Sequence, residues 1–150
     1  MEERPFEVVT KLEAADRQLR VAIRLFFERK ELIAIHTLTA AARGILRGLA
    51  PHGVIDTSIE KFSLKSQKLL RRAINEAQNF FKHADKDPTG KLKFHYGVTQ
   101  FLLLDAAIIC SSLLGHRSPE ASVMLVWSAI KFPELYDVTD PQFDAFIKLW

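Results

Sequence analysis

The sequence predicts an all-α fold: one helical domain over residues 1–150, an antiparallel bundle of five to six helices. Three observations predict it. Apolar residues recur at three- and four-residue spacing along most of the chain, as in helices that bury one stripe. Turn formers punctuate those stretches, at Pro51 and Gly53, Pro88 and Gly90, Gly115 and Pro119, and Pro133. No two alternating stretches are joined by hairpin chemistry, and there is no internal repeat or low-complexity segment.

The first helix is expected over 6–29, with Val9, Leu12, Leu19, Ile23, Phe26 and Phe27 on one face and Pro5 in its first turn. A short break at Arg29-Lys30 leads to a second helix over about 31–50, so the two form an antiparallel hairpin. Its apolar stripe is Ile35, Leu38, Ala42, Ile45, Leu46 and Leu49. On the other side His36, Thr39, Arg43 and Arg47 make a polar column. Such a column either holds an anion, forms a solvated face or meets carboxylates of a neighbouring helix.

Asp56-Thr57-Ser58 opens a short turn or helix, and a third long helix is expected from Ser66 to Asp85. Its core stripe is Leu70, Ala73, Ile74, Ala77, Phe81 and Ala84. Arg72, Glu76, Asn79, His83 and Lys86 fall nearly opposite, so His83 points away from that helix's own core. Asp87-Pro88-Thr89-Gly90 ends the helix. Tyr96–Leu114 is apolar nearly all round and should lie at the centre, with Asp105 in its middle requiring a basic partner from the first three helices. Gly115 closes it. Ser118 as N-cap and Pro119 at the first position open a fifth helix, and Pro141 begins a last one.

Composition bounds the compartment and the chemistry. The apolar fraction of 48% and eleven Phe suit a packed core. A single cysteine, Cys110, excludes an intramolecular disulfide and fits a reducing cytoplasm. The charged start, Met1-Glu2-Glu3-Arg4-Pro5, lacks the apolar region of a signal peptide. The apolar run Phe101–Leu114 is interrupted by Asp105 and is too short to span a bilayer, so a cytoplasmic protein with no membrane partner is expected. Charge is uneven: residues 61–93 carry nine basic side chains against three acidic, whereas residues 1–60 balance at nine each. That basic segment suits RNA, or an acidic or phosphate-bearing ligand, and equally a solvated Lys-rich face.

There is no nucleophile elbow around a serine, and no glycine-rich phosphate loop; no cofactor is expected. Asp85-x-Asp87-x-Thr89-Gly90 imitates the start of a calcium loop, but Tyr96 stands where the bidentate Glu belongs. Asp85, Asp87 and His95, with His83, are the candidates for a transition metal. The alternative is turn chemistry, with Asp87 and Thr89 satisfying backbone amides.

Ile35-His36-Thr37-Leu38-x-x-Ala41-Ala42 together with Asn79-Phe-Phe-Lys-His83-Ala-Asp85-Lys-Asp87-Pro88 resembles a widespread bacterial family of uncharacterised helical proteins. More distantly, Asn79-x-x-x-His83 after a long helix is similar to the Arg-Asn-x-x-x-His motif of HEPN domains. That resemblance implies an all-helical, usually dimeric protein. It also implies an Arg and His at the dimer interface acting on an RNA phosphodiester. Here Gln78 replaces the motif's Arg, which removes the cation such chemistry needs. Arg72 is on the same face, but roughly 16 Å along the axis from His83.

Three readings follow. One is a non-catalytic, HEPN-like homodimerising domain binding a ligand or macromolecule at the His83 face. Another is a metal-independent ribonuclease using His83 and Asn79. The third is a small-molecule or metal-binding protein with a pocket of His36, Arg43, His83 and Asp105, to which Arg47 and Lys82 add cations.

Overall fold

Thr10 starts the first helix. Its hydroxyl accepts from the Glu13 backbone N–H, and the Glu13 carboxylate accepts from the Thr10 N–H, a reciprocal cap. The helix therefore begins at Lys11, five residues later than apolar spacing predicts, and Phe6–Val9 remain exposed outside it. In the computed structural model, which describes residues 6–51 and 64–133, the elements are α1 (Lys11–Phe27), α2 (Leu32–Leu49), α3 (Leu64–Lys82), α4 (Tyr96–Leu114) and α5 (Pro119–Lys131). No strand occurs among the described residues. The turn expected at Asp56–Ser58, the helix expected from Pro141 and Pro5 lie outside them.

The α1–α2 hairpin turns on Arg29, whose φ of 55° is left-handed. Arg29 N–H donates to Phe26 O and Lys30 N–H to Leu25 O, at 3.1 and 3.0 Å, which satisfies the carbonyls at the end of α1. Gly115 closes α4 in the same conformation, at φ 75°, and needs no side chain to be accommodated there. Ser118 caps α5 through the Ala121 N–H, with Pro119 in its first turn, as the sequence predicts.

Paired contacts set the directions. Arg20 and Arg24 both meet Glu120, and Phe26 and Phe27 meet Trp127, so α1 and α5 run in the same sense. His36 meets Thr99 and Arg43 meets Asp105, so α2 and α4 also run together. The main core draws on these four helices, with Leu19, Ile23, Ile35, Leu46, Leu103, Ile109 and Met124 fully enclosed. The third helix is attached differently. It rests on the body through Ile74 against Ala40 and Leu102, and through Phe81 against His36 and Phe94, antiparallel to α2.

The apolar run predicted from Phe101 belongs to a longer helix. All 19 residues of α4 together are long and apolar enough to cross a membrane, yet half of the helix is buried inside this bundle and Asp105 has its partners there.

Arg29→Gly should raise stability by about 1 kcal/mol, because a Cβ in the left-handed region costs about that much. A higher urea midpoint with an unchanged slope is the expected reading; an unchanged or lower midpoint would show that the Arg29 side chain compensates.

Candidate functional site

The polar column of α2 does not face solvent. His36 and Thr39 are fully buried, and only Arg43 and Arg47 reach the edge. The column lies roughly 100° round the helix from the apolar stripe, at 100° per residue. That is close enough for α4 to cover it while α1 covers the stripe. Of the alternatives for this column, the structure realises the meeting with a neighbouring carboxylate. Arg43 Nε donates to Asp105 Oδ2 at 2.6 Å, and Arg47 Nη2 stands 3.6 Å from the same oxygen. Asp105 is fully buried, so this pairing supplies the basic partner that a carboxylate inside an apolar helix needs. The other carboxylate oxygen, Oδ1, has no hydrogen-bond partner among the described residues.

Two turns away on the same seam, His36 Nδ1 lies 3.0 Å from Thr99 Oγ1. Its ring sits edge-on to Phe94 and Phe81, at centroid distances of 5.0 and 5.6 Å, and Nε2 has no partner. Burial pushes its pKa down to about 4, so the imidazole is neutral near pH 7. His36 and Asp105 thus have separate internal partners. The expected pocket of His36, Arg43, His83 and Asp105 is not assembled in this chain: His83 is exposed beyond the end of α3. Lys82 stands apart from them too. It lines a groove of about 550 Å³ between α2 and α3, with Gln78, Gly44, Gly48 and Lys11.

On the outer side of α3, Arg72, Glu76 and Asn79 are exposed as the sequence pattern predicts, together with Lys65, Lys68, Arg71 and Asn75. The helix runs Leu64–Lys82 and not Ser66–Asp85, so His83 and Lys86 are exposed beyond its end. Asn79 and His83 are one turn apart, joined by the His83 N–H donating to the Asn79 carbonyl at 3.0 Å. Gln78, in the place of the motif's arginine, turns instead toward the groove.

The Asp85–Gly90 segment is a turn: Gly90 N–H donates to the Asp87 carbonyl across Pro88, and a Cβ at Gly90 would fall on the Asp87 carboxylate. His95 caps α4, its Nδ1 accepting from the Gly97 N–H at 3.1 Å. Among the described residues no three His, Cys, Asp or Glu side chains converge as a metal set, so Asp85, Asp87 and His95 are not brought together for one. Cys110 is enclosed. Burial, and the Asp16 carboxylate 3.7 Å from its sulfur, push the thiol up to about 12, which leaves it inert.

No family model matches this chain, and no curated protein or solved structure does either. The functional reading therefore rests on the chain's own geometry. In that geometry the cations divide into two sets. Arg17, Arg20, Arg24, Arg43 and Arg47 are paired with carboxylates of the chain. The lysines and arginines of α3 and of the connector to α4 join no ion pair among the described residues. Sequence spacing located that second set but could not separate it from the first, since pairing is a tertiary property.

Two stability experiments check the buried seam. Arg43→Met should cost about 3 kcal/mol by leaving the Asp105 carboxylate underpaired, and Arg43→Met with Asp105→Leu should recover most of that loss in urea unfolding. His36 is harder to protonate folded than unfolded, so its contribution is complete above about pH 6.5 and is lost as pH falls from there toward 4. The loss should be on the order of 3 kcal/mol, and His36→Leu should flatten stability against pH over that window.

Proposed function

We propose that this chain is a non-catalytic helical binding domain, HEPN-like and homodimeric, which takes a macromolecular or phosphate-bearing partner on the α3 face around His83. One observation carries the reading: among the described residues, the cations of this face pair with no carboxylate. Unpaired charge on a helix face that also presents Asn75 and Asn79 offers both attraction and hydrogen bonds to an anionic partner. The only acidic side chain on the helix is Glu76, and the connector adds Asp85 and Asp87. Catalysis is not part of the reading, because a phosphodiester reaction needs a cation beside the general acid or base, and position 78 holds Gln.

A second reading, a metal-independent ribonuclease, is favoured by one feature. Asn79 and His83 are both exposed, and their side chains have no partner among the described residues. It requires a second subunit to bring the missing cation.

The full chain should be retained on immobilised heparin. Lys68→Glu with Arg72→Glu should lower the eluting salt sharply, whereas Lys131→Glu, a single charge reversal at the end of α5, should lower it little. Equal shifts per charge reversed would refer retention to net charge and remove the α3 site. Sedimentation equilibrium should return twice the chain mass. For the ribonuclease reading, total RNA left intact, or cleavage that persists in His83→Ala, would end it.

A further inference from the structure

We propose that the anionic partner of the α3 face is single-stranded nucleic acid, with its phosphates on the cations of α3 and its bases stacked on Phe80 and Tyr96. This rests on the binding reading above and names the chemistry of its partner.

The argument begins with two adjacent phenylalanines that have opposite fates. Phe81 turns inward and packs against His36 and Phe94. Phe80, its ring 5.9 Å from that of Phe81, turns outward and is 39% exposed. The Phe81–Phe94 contact, at 5.2 Å, ties the last turn of α3 to the residues that lead into α4. Tyr96, two residues after Phe94 and first in α4, is 68% exposed, and its hydroxyl has no partner among the described residues. Each exposed ring thus lies within two residues of one member of the Phe81–Phe94 contact.

Cations lie close to that contact along the chain. Lys82 ends α3 on the flank that lines the α2–α3 groove, and Lys91 and Lys93 flank the approach to Phe94; all three are exposed. Of the connector's two carboxylates, Asp87 lies against Gly90 in its own turn. Farther along α3, Arg72 and Lys68 continue the charge over a helix about 28 Å long. Lysines that track a backbone, interleaved with aromatic faces that accept any base, are the two components of single-strand binding without sequence preference. A duplex keeps its base faces stacked on one another and offers nothing to Phe80 or Tyr96. An acidic protein surface would use the lysines and leave both rings idle. Neither alternative uses both features.

The experiment is fluorescence anisotropy of the full chain with labelled twelve-nucleotide oligo(U) and oligo(dT), a twelve-base-pair duplex, and polyglutamate as competitor. Binding to either single strand should weaken steeply with salt, with a slope of log K against log salt of about −3.5 if about five phosphates are neutralised. Phe80→Ala and Tyr96→Ala should each weaken binding about tenfold at fixed salt and leave that slope unchanged. Lys82→Glu should make the slope shallower. Both aromatic side chains are on the surface, and far-ultraviolet circular dichroism checks that the variants fold. The proposal is overturned if the double aromatic variant binds single strands as tightly as the parent. It is overturned equally if the duplex binds as tightly, or if polyglutamate competes charge for charge; in these three cases the anion-binding reading survives. Loss of all binding, to heparin as well as to oligonucleotides, ends both.

Discussion

The Asp105 carboxylate is the constraint on which the packing of this bundle depends. Helix α4 is apolar on nearly every side, and a helix with no polar face has no hydrophobic reason to prefer one rotation over another. Asp105 breaks that degeneracy. Buried without a cation it would cost several kcal/mol, and Arg43 and Arg47 on α2 supply the charge it needs. Meeting Arg43 fixes both the rotation of α4 and its register along α2, and the same register brings Thr99 to His36. A slip of one turn would unmake both contacts at once. The polar seam thus specifies how two greasy helices pack, even though each of its members takes something from hydrophobic stability.

A second pairing orients the outer helix. Glu120, in the first turn of α5, is held by Arg20 and Arg24 of α1, while Trp127 at the other end packs edge-on against Phe26 and Phe27. One electrostatic and one aromatic anchor, about two turns apart, leave α5 a single way to lie along α1. Against this doubly anchored body, α3 is held by a few apolar side chains and one aromatic junction. Its outer face can therefore carry function without holding the core together.

Much of this was legible in the sequence, and the failures have physical causes. The bounds of α4 and the Ser118-Pro119 start of α5 followed from punctuation and apolar density, because caps and left-handed closures are local. The need of Asp105 for a base was legible for the same reason: a buried charge implies a partner wherever it lies. The start of α1 was misread because apolar spacing extends to Val9, whereas the Thr10–Glu13 cap decides the boundary. The full burial of His36 was not legible. A column of polar residues beside an apolar stripe looks like a solvated flank when a helix has one neighbour, and α2 has three. The role of His95 was not legible either: near two aspartates it is a metal candidate by residue type alone, whereas in the structure its ring accepts from the Gly97 N–H and caps α4.

The two kinds of cation in this chain have different physical tasks. The ion pairs of the described body are made by arginine, whose planar fork fits a fixed carboxylate and tolerates partial burial. The exposed face of α3 and the connector relies mainly on lysine, a mobile point charge on a flexible stem. A lysine gains little from one rigid internal partner and loses side-chain entropy in holding it. It is better suited to an anion whose charges can shift position along it. Among the described residues, the geometrically demanding cation serves the fold, and the adaptable one stands without an ion pair on one face. That segregation is why the α3 face, and not the carboxylate-paired arginines of α1, is the surface we propose for a partner.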